Sequence, residues 1–186
     1  MKLFELASDE SELDSWAKDL VKSKGWLAQE LANIDSHFHT VYILGSWYGN
    51  ASILLFKEAN ITFDWLYNVD VDREPLEQGQ ELAKKLGLAN IQAIQANANN
   101  IVYKHPTLVI NTSVNNMENA GWFENIPQGT LVALQSRNND PGALNQHNSP
   151  RELALQYPLA QVLYEDKLRL HDKQGSYARF MVIGRK

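Results

Sequence analysis

Cysteine is absent from the 186 residues. That removes disulfides, zinc–thiolate centres and thiol nucleophiles together. No apolar run approaches the length that crosses a bilayer. The opening MKLFELASDESELDSW carries acids where a secretory signal needs a basic start and a long apolar block. The expectation is a cytoplasmic protein without a membrane partner. An excess of positive charge is also lacking: 17 Lys and Arg stand against 22 Asp and Glu, a formal net charge of −5. Generic nucleic-acid binding neutralises phosphates with cations, so this balance carries no strong nucleic-acid signal. Internal repeats, linkers and low-complexity tracts are missing. So are a Walker loop, a Ser-His-Asp nucleophile elbow and a kinase signature.

What is present reads as a folded chain. Hydrophobic residues make up 44% and charged residues 21%, the balance of a globular protein. The length suits one domain, 1–186, with an adequate core. Residues 1–40 read as a helical cover and 41–186 as the main body. Asp9 and Glu12 form a capping box. Leu13, Trp16, Ala17, Leu20 and Val21 then share a helical face, and Gly25 is the expected stop. A second helix over Trp26–Ile34 follows, and both are expected to pack across the edge or mouth of a sheet.

From Val41 the pattern alternates. Strands are predicted at Val41–Leu44, Trp65–Val69, Ile91–Gln95, Thr107–Ile110 and Thr130–Leu134. Helices are predicted at Ala51–Glu58, from Pro75 to Leu86 with Gly87 closing, around Met117–Glu124, and from a Ser149 cap to Gln156. Gln161–Leu170 and Tyr177–Ile183, joined by Asp172-Lys173-Gln174-Gly175-Ser176, read as a hairpin. Alternating βα units imply an α/β fold, a doubly wound and mainly parallel sheet. The closing hairpin adds antiparallel strands.

In such sheets ligands bind outside the carboxyl ends of the strands, where strand order reverses. The first loop is Gly45-Ser46-Trp47-Tyr48-Gly49-Asn50. Its glycines permit a tight turn and close backbone approach. It is not G-x-G-x-x-G: Trp47 and Tyr48 crowd the space a dinucleotide pyrophosphate needs. That counts against NAD or FAD more than against a phosphate-free nucleoside such as S-adenosylmethionine. A plain strand-to-helix turn with two surface aromatics is the alternative. The second strand ends in Asp70, whose carboxylate can accept from both ribose hydroxyls, with Val71 offering an apolar face to an adenine. Asp72 suits the cap of the next helix, and capping alone would also account for both acids.

The third strand ends at Asn97, a turn former or an acceptor for an adenine amino group. The fourth ends at Asn111-Thr112-Ser113, and the fifth at Leu134-Gln135-Ser136 before a polar loop, Arg137 to Asn148. His147 in that loop is the general-base candidate, because imidazole titrates near neutral pH. A solvated loop histidine is the plainer alternative. Trp122 either lines the pocket or anchors its helix. His37-Phe38-His39, near Asp35, puts two imidazoles on one side of an extended segment, but no third ligand has a clear spacing, so no metal site is assigned.

Together GSWYG, VDVD, INTS, the LQS run and the closing RFMVIGRK resemble small class I S-adenosylmethionine-dependent methyltransferase-like proteins of bacteria and phages, over roughly Val41 to Lys186. The resemblance implies a Rossmann-like core, S-adenosyl-L-methionine as cofactor, and transfer of its methyl group to a small-molecule or partner-delivered acceptor. It implies cofactor contacts from Gly45, Ser46, Trp47, Tyr48, Gly49, Asp70, Val71, Asn97, Asn111 and Thr112. In this class Asn97 matches a frequent Asp, and Asn111 faces the transferred methyl, faintly resembling the Asn of amino-group methyltransferases without its prolines and aromatic. Asn115 and Asn116 stand where relatives tend to carry an acid and a histidine. Two other readings stay open: a non-methylating enzyme that cleaves or cyclises the cofactor, and a sensing or interaction module with a relic pocket, anchored by Trp16, Trp26 and Trp122.

Overall fold

A computed structural model describes residues 17–186 of the chain. The Asp9–Glu12 capping box, Leu13 and Trp16 lie outside the described residues.

Helix α1 spans Lys18–Ile34 and is continuous through Gly25. Gly25 therefore does not stop it, against expectation. A glycine inside a helix costs only about 0.5–1 kcal/mol. That is outweighed here because Ser23, Leu27, Ala28 and Leu31 keep one buried face in register across it. The strands follow as β1 (His37–Leu44), β2 (Thr62–Asp70), β3 (Ile91–Gln95), β4 (Leu108–Asn111), β5 (Leu131–Arg137), β6 (Gln161–Asp172) and β7 (Gly175–Arg185). Between them lie α2 (Asn50–Glu58), α3 (Arg73–Lys85), α4 (Gly121–Glu124) and α5 (Pro150–Gln156).

Pro75 is the third residue of α3 rather than its first, with Asp72 at the cap position. The helix expected around Met117–Glu124 is reduced to a 3-10 turn, Val114–Asn116, and the single turn of α4. Asparagines compete for backbone groups there: Asn119 Oδ1 accepts from Gly121 N at 3.0 Å, which favours a turn over continued helix. By contrast Ser149 caps α5 as expected, its Oγ accepting from Glu152 N at 3.1 Å ahead of Pro150.

The seven strands form one sheet ordered β3-β2-β1-β4-β5-β7-β6. The first five are parallel, and β7 enters antiparallel between β5 and β6. The α/β doubly wound sheet with a closing hairpin is thus as expected. Period-two alternation sends Val41, Ile43, Ile110, Ala133 and Ile183 to the face covered by α1 and α2. Tyr42, Leu44, Val109, Leu134 and Val182 go to the opposite face, under Trp122, Phe123, Leu153 and Tyr157 of α4, α5 and its end. So α1 covers a face of the sheet, not only its mouth. Ser23 Oγ reaches Gln135 at 3.1 Å and Trp26 Nε1 reaches Tyr164 at 3.1 Å. Trp122 is fully buried against Phe123 and Tyr157. Neither it nor Trp26 stands free as an interface anchor. No described helix is long and apolar enough to cross a membrane.

Candidate functional site

Strand order reverses between β1 and β4, and the carboxyl ends of β1, β2, β3 and β4 open there onto a cleft of about 610 Å³. That falls within the usual size of a small-molecule site, roughly 300–1,000 Å³. The loop after β1 forms one wall. Gly45 and Gly49 hold φ of +61° and +69°, and Trp47, with φ +48°, shares the left-handed region. A non-glycine residue there costs on the order of 1–3 kcal/mol and persists only when its surroundings over-determine it. They do. Ser46 N donates to Val69 O at 3.1 Å, Gly49 N to Ser46 O at 2.8 Å, and Trp47 N to Asp70 Oδ2 at 2.7 Å. Gly45 also allows a close approach: a Cβ there would sit 2.9 Å from Ser113 Cβ.

Asp70 closes β2 and faces the cleft. Its Oδ1 accepts from Asp72 N at 3.1 Å. Two backbone donors thus fix the carboxylate, and about half of its four lone-pair sites stay open. Val71, 63% exposed, stands beside it at the rim. Asn97 lines the far side, but its Oδ1 already accepts from Asn99 N at 2.9 Å, so the turn-forming role is in place. Ser113, Asn116, Met117 and Glu118 complete the wall after β4, and Leu144 reaches over from the loop after β5. Of the charged residues that line the cleft, both are acids, Asp70 and Glu118.

The structure brings Gly45, Trp47, Asp70, Val71 and Asn97 together on this cleft, and it does not bring the remaining expected residues to it. Tyr48 is buried, its ring 4.9 Å from that of Trp47, so one aromatic meets the cleft and the other supports it from behind. Ser46 is buried beneath the loop, and Gly49 turns the chain into α2. Asn111 is fully buried, its Oδ1 accepting from Ser113 N at 2.9 Å. Its Nδ2 has no partner among the described residues. Thr112 is buried, with its carbonyl accepting from the Arg179 guanidinium.

His147 departs furthest from expectation. It is 1% exposed, with Nδ1 2.8 Å from Ser136 Oγ and Nε2 2.7 Å from Gln156 Oε1. Burial pulls its pKa down, against the opposing effects of Gln156 and Glu152. It ties the polar loop to β5 and α5, and the role of a solvent-facing base is not met there. His37 and His39 both lie beside Asp64, His39 hydrogen-bonded to it. No cluster suited to a metal ion occurs among the described residues.

Sequence reasoning missed Met117, Glu118 and Leu144, and named Ser113 at the end of the fourth strand without assigning it to the site. Leu144 carries no local signal, since only the path of its loop brings it to the cleft.

No protein-family model matches the chain, and no curated protein matches it in sequence. Solved structures do match. A SAM-dependent methyltransferase from Aquifex aeolicus aligns over 95% of this chain and 99% of its own, with a TM-score of 0.66 at 14% identity. The N-methyltransferase NodS from Bradyrhizobium japonicum, in complex with S-adenosyl-L-homocysteine, aligns over 97% and 94%, with a TM-score of 0.72 at 11% identity. A putative sarcosine dimethylglycine methyltransferase from Galdieria sulphuraria aligns over 97% and 92%, with a TM-score of 0.69 at 12% identity. The chain has the class I methyltransferase fold. In this fold the cleft lies at the reversal of strand order, with Asp70 bonded to the turn after β1 along its wall.

Proposed function

We propose that the protein is an S-adenosylmethionine-dependent methyltransferase and that the cleft holds the cofactor. The observation that carries this reading is the 2.7 Å bond from Trp47 N to Asp70 Oδ2. It brings the carboxylate closing the second strand onto the turn closing the first, at the mouth of a cleft whose charged lining is acidic. A polyphosphate would meet two carboxylates and no cation there. A nucleoside without phosphate, carrying a positive sulfonium, meets a complementary field. The likeness to methyltransferase structures supports the same ligand, one of them in complex with S-adenosyl-L-homocysteine.

Asp70 would accept the ribose hydroxyls with its free lone pairs, and exposed Val71 would cover one face of the adenine. The Asn97 side-chain amide still has donors to offer. Bound there, S-adenosylmethionine supplies an electrophilic methyl group. The chain's part is alignment, and holding reactants in line can supply roughly 7–11 kcal/mol of a barrier.

Isothermal titration with S-adenosylmethionine, S-adenosylhomocysteine and NAD tests the reading. The first two are expected to bind saturably and NAD not. Asp70→Asn keeps one acceptor oxygen for the loop but loses the charge. A charge-assisted hydrogen bond contributes about 1.5–3 kcal/mol, so the homocysteine product should bind roughly 10- to 150-fold more weakly. Saturable NAD binding, or an unchanged affinity in Asp70→Asn, would refute the assignment.

A further inference from the structure

Behind Gly45, Trp47, Ser113 and Asn116 lies a second, smaller chamber of about 190 Å³, which shares these four residues with the cleft. Its character is opposite. Lys24 of α1, Arg137 at the end of β5 and Arg179 of β7 line it, with Asp140 as the one acid. Arg137 is already paired, 3.0 Å from Asp172 and stacked 3.8 Å over the Tyr177 ring. Asp140 is engaged by the Asn115 amide and forms no ion pair with the cations among the described residues.

Two cations are left. Arg179 is only 6% exposed. Its terminal nitrogen donates to the Thr112 carbonyl, but its Nε–H has no partner among the described residues. Lys24 is half-buried and likewise has no ion pair or hydrogen bond among them. Burial, then the Arg179 charge, lowers its pKa to about 8, as for an ammonium without a counter-charge. Buried cations are normally paired, because desolvating an unpaired charge costs several kcal/mol. Asp140 and Asp19 act on Arg179 only at a distance, so among the described residues neither cation has a contact ion pair, and together they suit a compact anion.

We propose that this chamber binds the methyl acceptor, and that the acceptor carries a compact anion, a carboxylate or phosphate, which Arg179 and Lys24 neutralise. The proposal rests on the cleft being the cofactor site. The chamber adjoins it across Gly45 and Ser113, at the ends of β1 and β4, so an anion held there places the rest of the acceptor at the boundary between the two spaces. The division of charge supports the assignment: the acidic cleft suits a sulfonium nucleoside, and the basic chamber an anionic partner. The volume admits a small charged group.

The cofactor's own methionyl carboxylate is the rival source of such an anion, and the experiment separates the two. Wild type and Lys24→Met are titrated with S-adenosylhomocysteine, with methylthioadenosine, which lacks the carboxylate, and with inorganic phosphate and acetate at constant ionic strength. The anion titrations are made both on the free protein and on protein saturated with the homocysteine product. Phosphate or acetate is expected to bind saturably in the millimolar range in both states, and about tenfold or more weakly in Lys24→Met. Both nucleosides are expected to bind the variant as they bind wild type. A loss of affinity for S-adenosylhomocysteine but not for methylthioadenosine would give the site to the cofactor and overturn the proposal. So would the absence of anion binding up to tens of millimolar, or anion binding indifferent to Lys24→Met. If the anions bind but neither nucleoside does, the reading of the cleft fails, and the acceptor assignment falls with it.

Discussion

Asp70 and His147 are both polar residues near strand ends, and they meet opposite fates. Asp70 is fixed by two backbone donors from neighbouring loops, both close in space to the end of its own strand. Its position followed from strand periodicity and the strand-end rule, so it was legible. His147 sits in a long loop, and its burial depends on that loop folding under Ser136 and against Gln156. No local pattern encodes that path. The consequence is a stability effect. A histidine whose native pKa is pulled below its usual 6.5 binds fewer protons folded than unfolded. Its contribution is fully present above the unfolded value and is lost as the pH falls through that value toward the lower native one. Urea unfolding between about pH 8 and pH 5 should therefore show wild type losing stability on acidification. His147→Gln, which retains hydrogen-bonding capacity without titrating, should lose less over the same interval. Parallel pH profiles for the two proteins would exclude this role.

At the scale of elements, the strands and the helices with strong periodicity were readable, as was the Ser149 start of α5, while interruptions were not. α3 shows why a helix can matter to a loop it does not contain. Gly79 faces the turn after β1 so closely that a Cβ would lie 2.6 Å from the Tyr48 carbonyl oxygen. That contact is with backbone and cannot be relieved by a rotamer change. Gly79→Ala gains about 0.5–1 kcal/mol of helix propensity, but overpacking costs about 1–3 kcal/mol. Net destabilisation is expected. Because Tyr48 adjoins Trp47, affinity for S-adenosylhomocysteine should fall with it. Gly142→Ala is the control: nothing lies within 4 Å of a Cβ there, and its stability should stay within about 0.5 kcal/mol of wild type. Gly79→Ala with wild-type stability and affinity would show that α3 and the loop are not coupled. Gly25 carries the complementary lesson. A glycine read as a stop was overruled by the buried face that continues past it, and that face is buried against α2 and the sheet beneath α1.

At the scale of the molecule, the reversal of strand order between β1 and β4 creates the cleft; the alternation of strands and helices implied a parallel sheet with a site at its strand ends, while the order of the strands rested on the resemblance alone. The small basic chamber was not legible, because Lys24, Arg137 and Arg179 come from positions spread over most of the chain and share no motif. A ligand seated across the ends of four strands stabilises the whole sheet, since unfolding any of them releases it. At a concentration 100 times its dissociation constant, a ligand that binds only the folded state adds about 2.7 kcal/mol. For a chain of this length each kcal/mol moves Tm by about 2–4 °C. Saturating S-adenosylhomocysteine should therefore raise Tm by roughly 5–11 °C, and NAD by nothing. In Asp70→Asn at the same concentration the rise should shrink to a few degrees, because a weaker ligand occupies the same site at lower saturation. A full-sized shift in that variant would mean that the stabilising ligand binds somewhere other than the junction of β1 and β2.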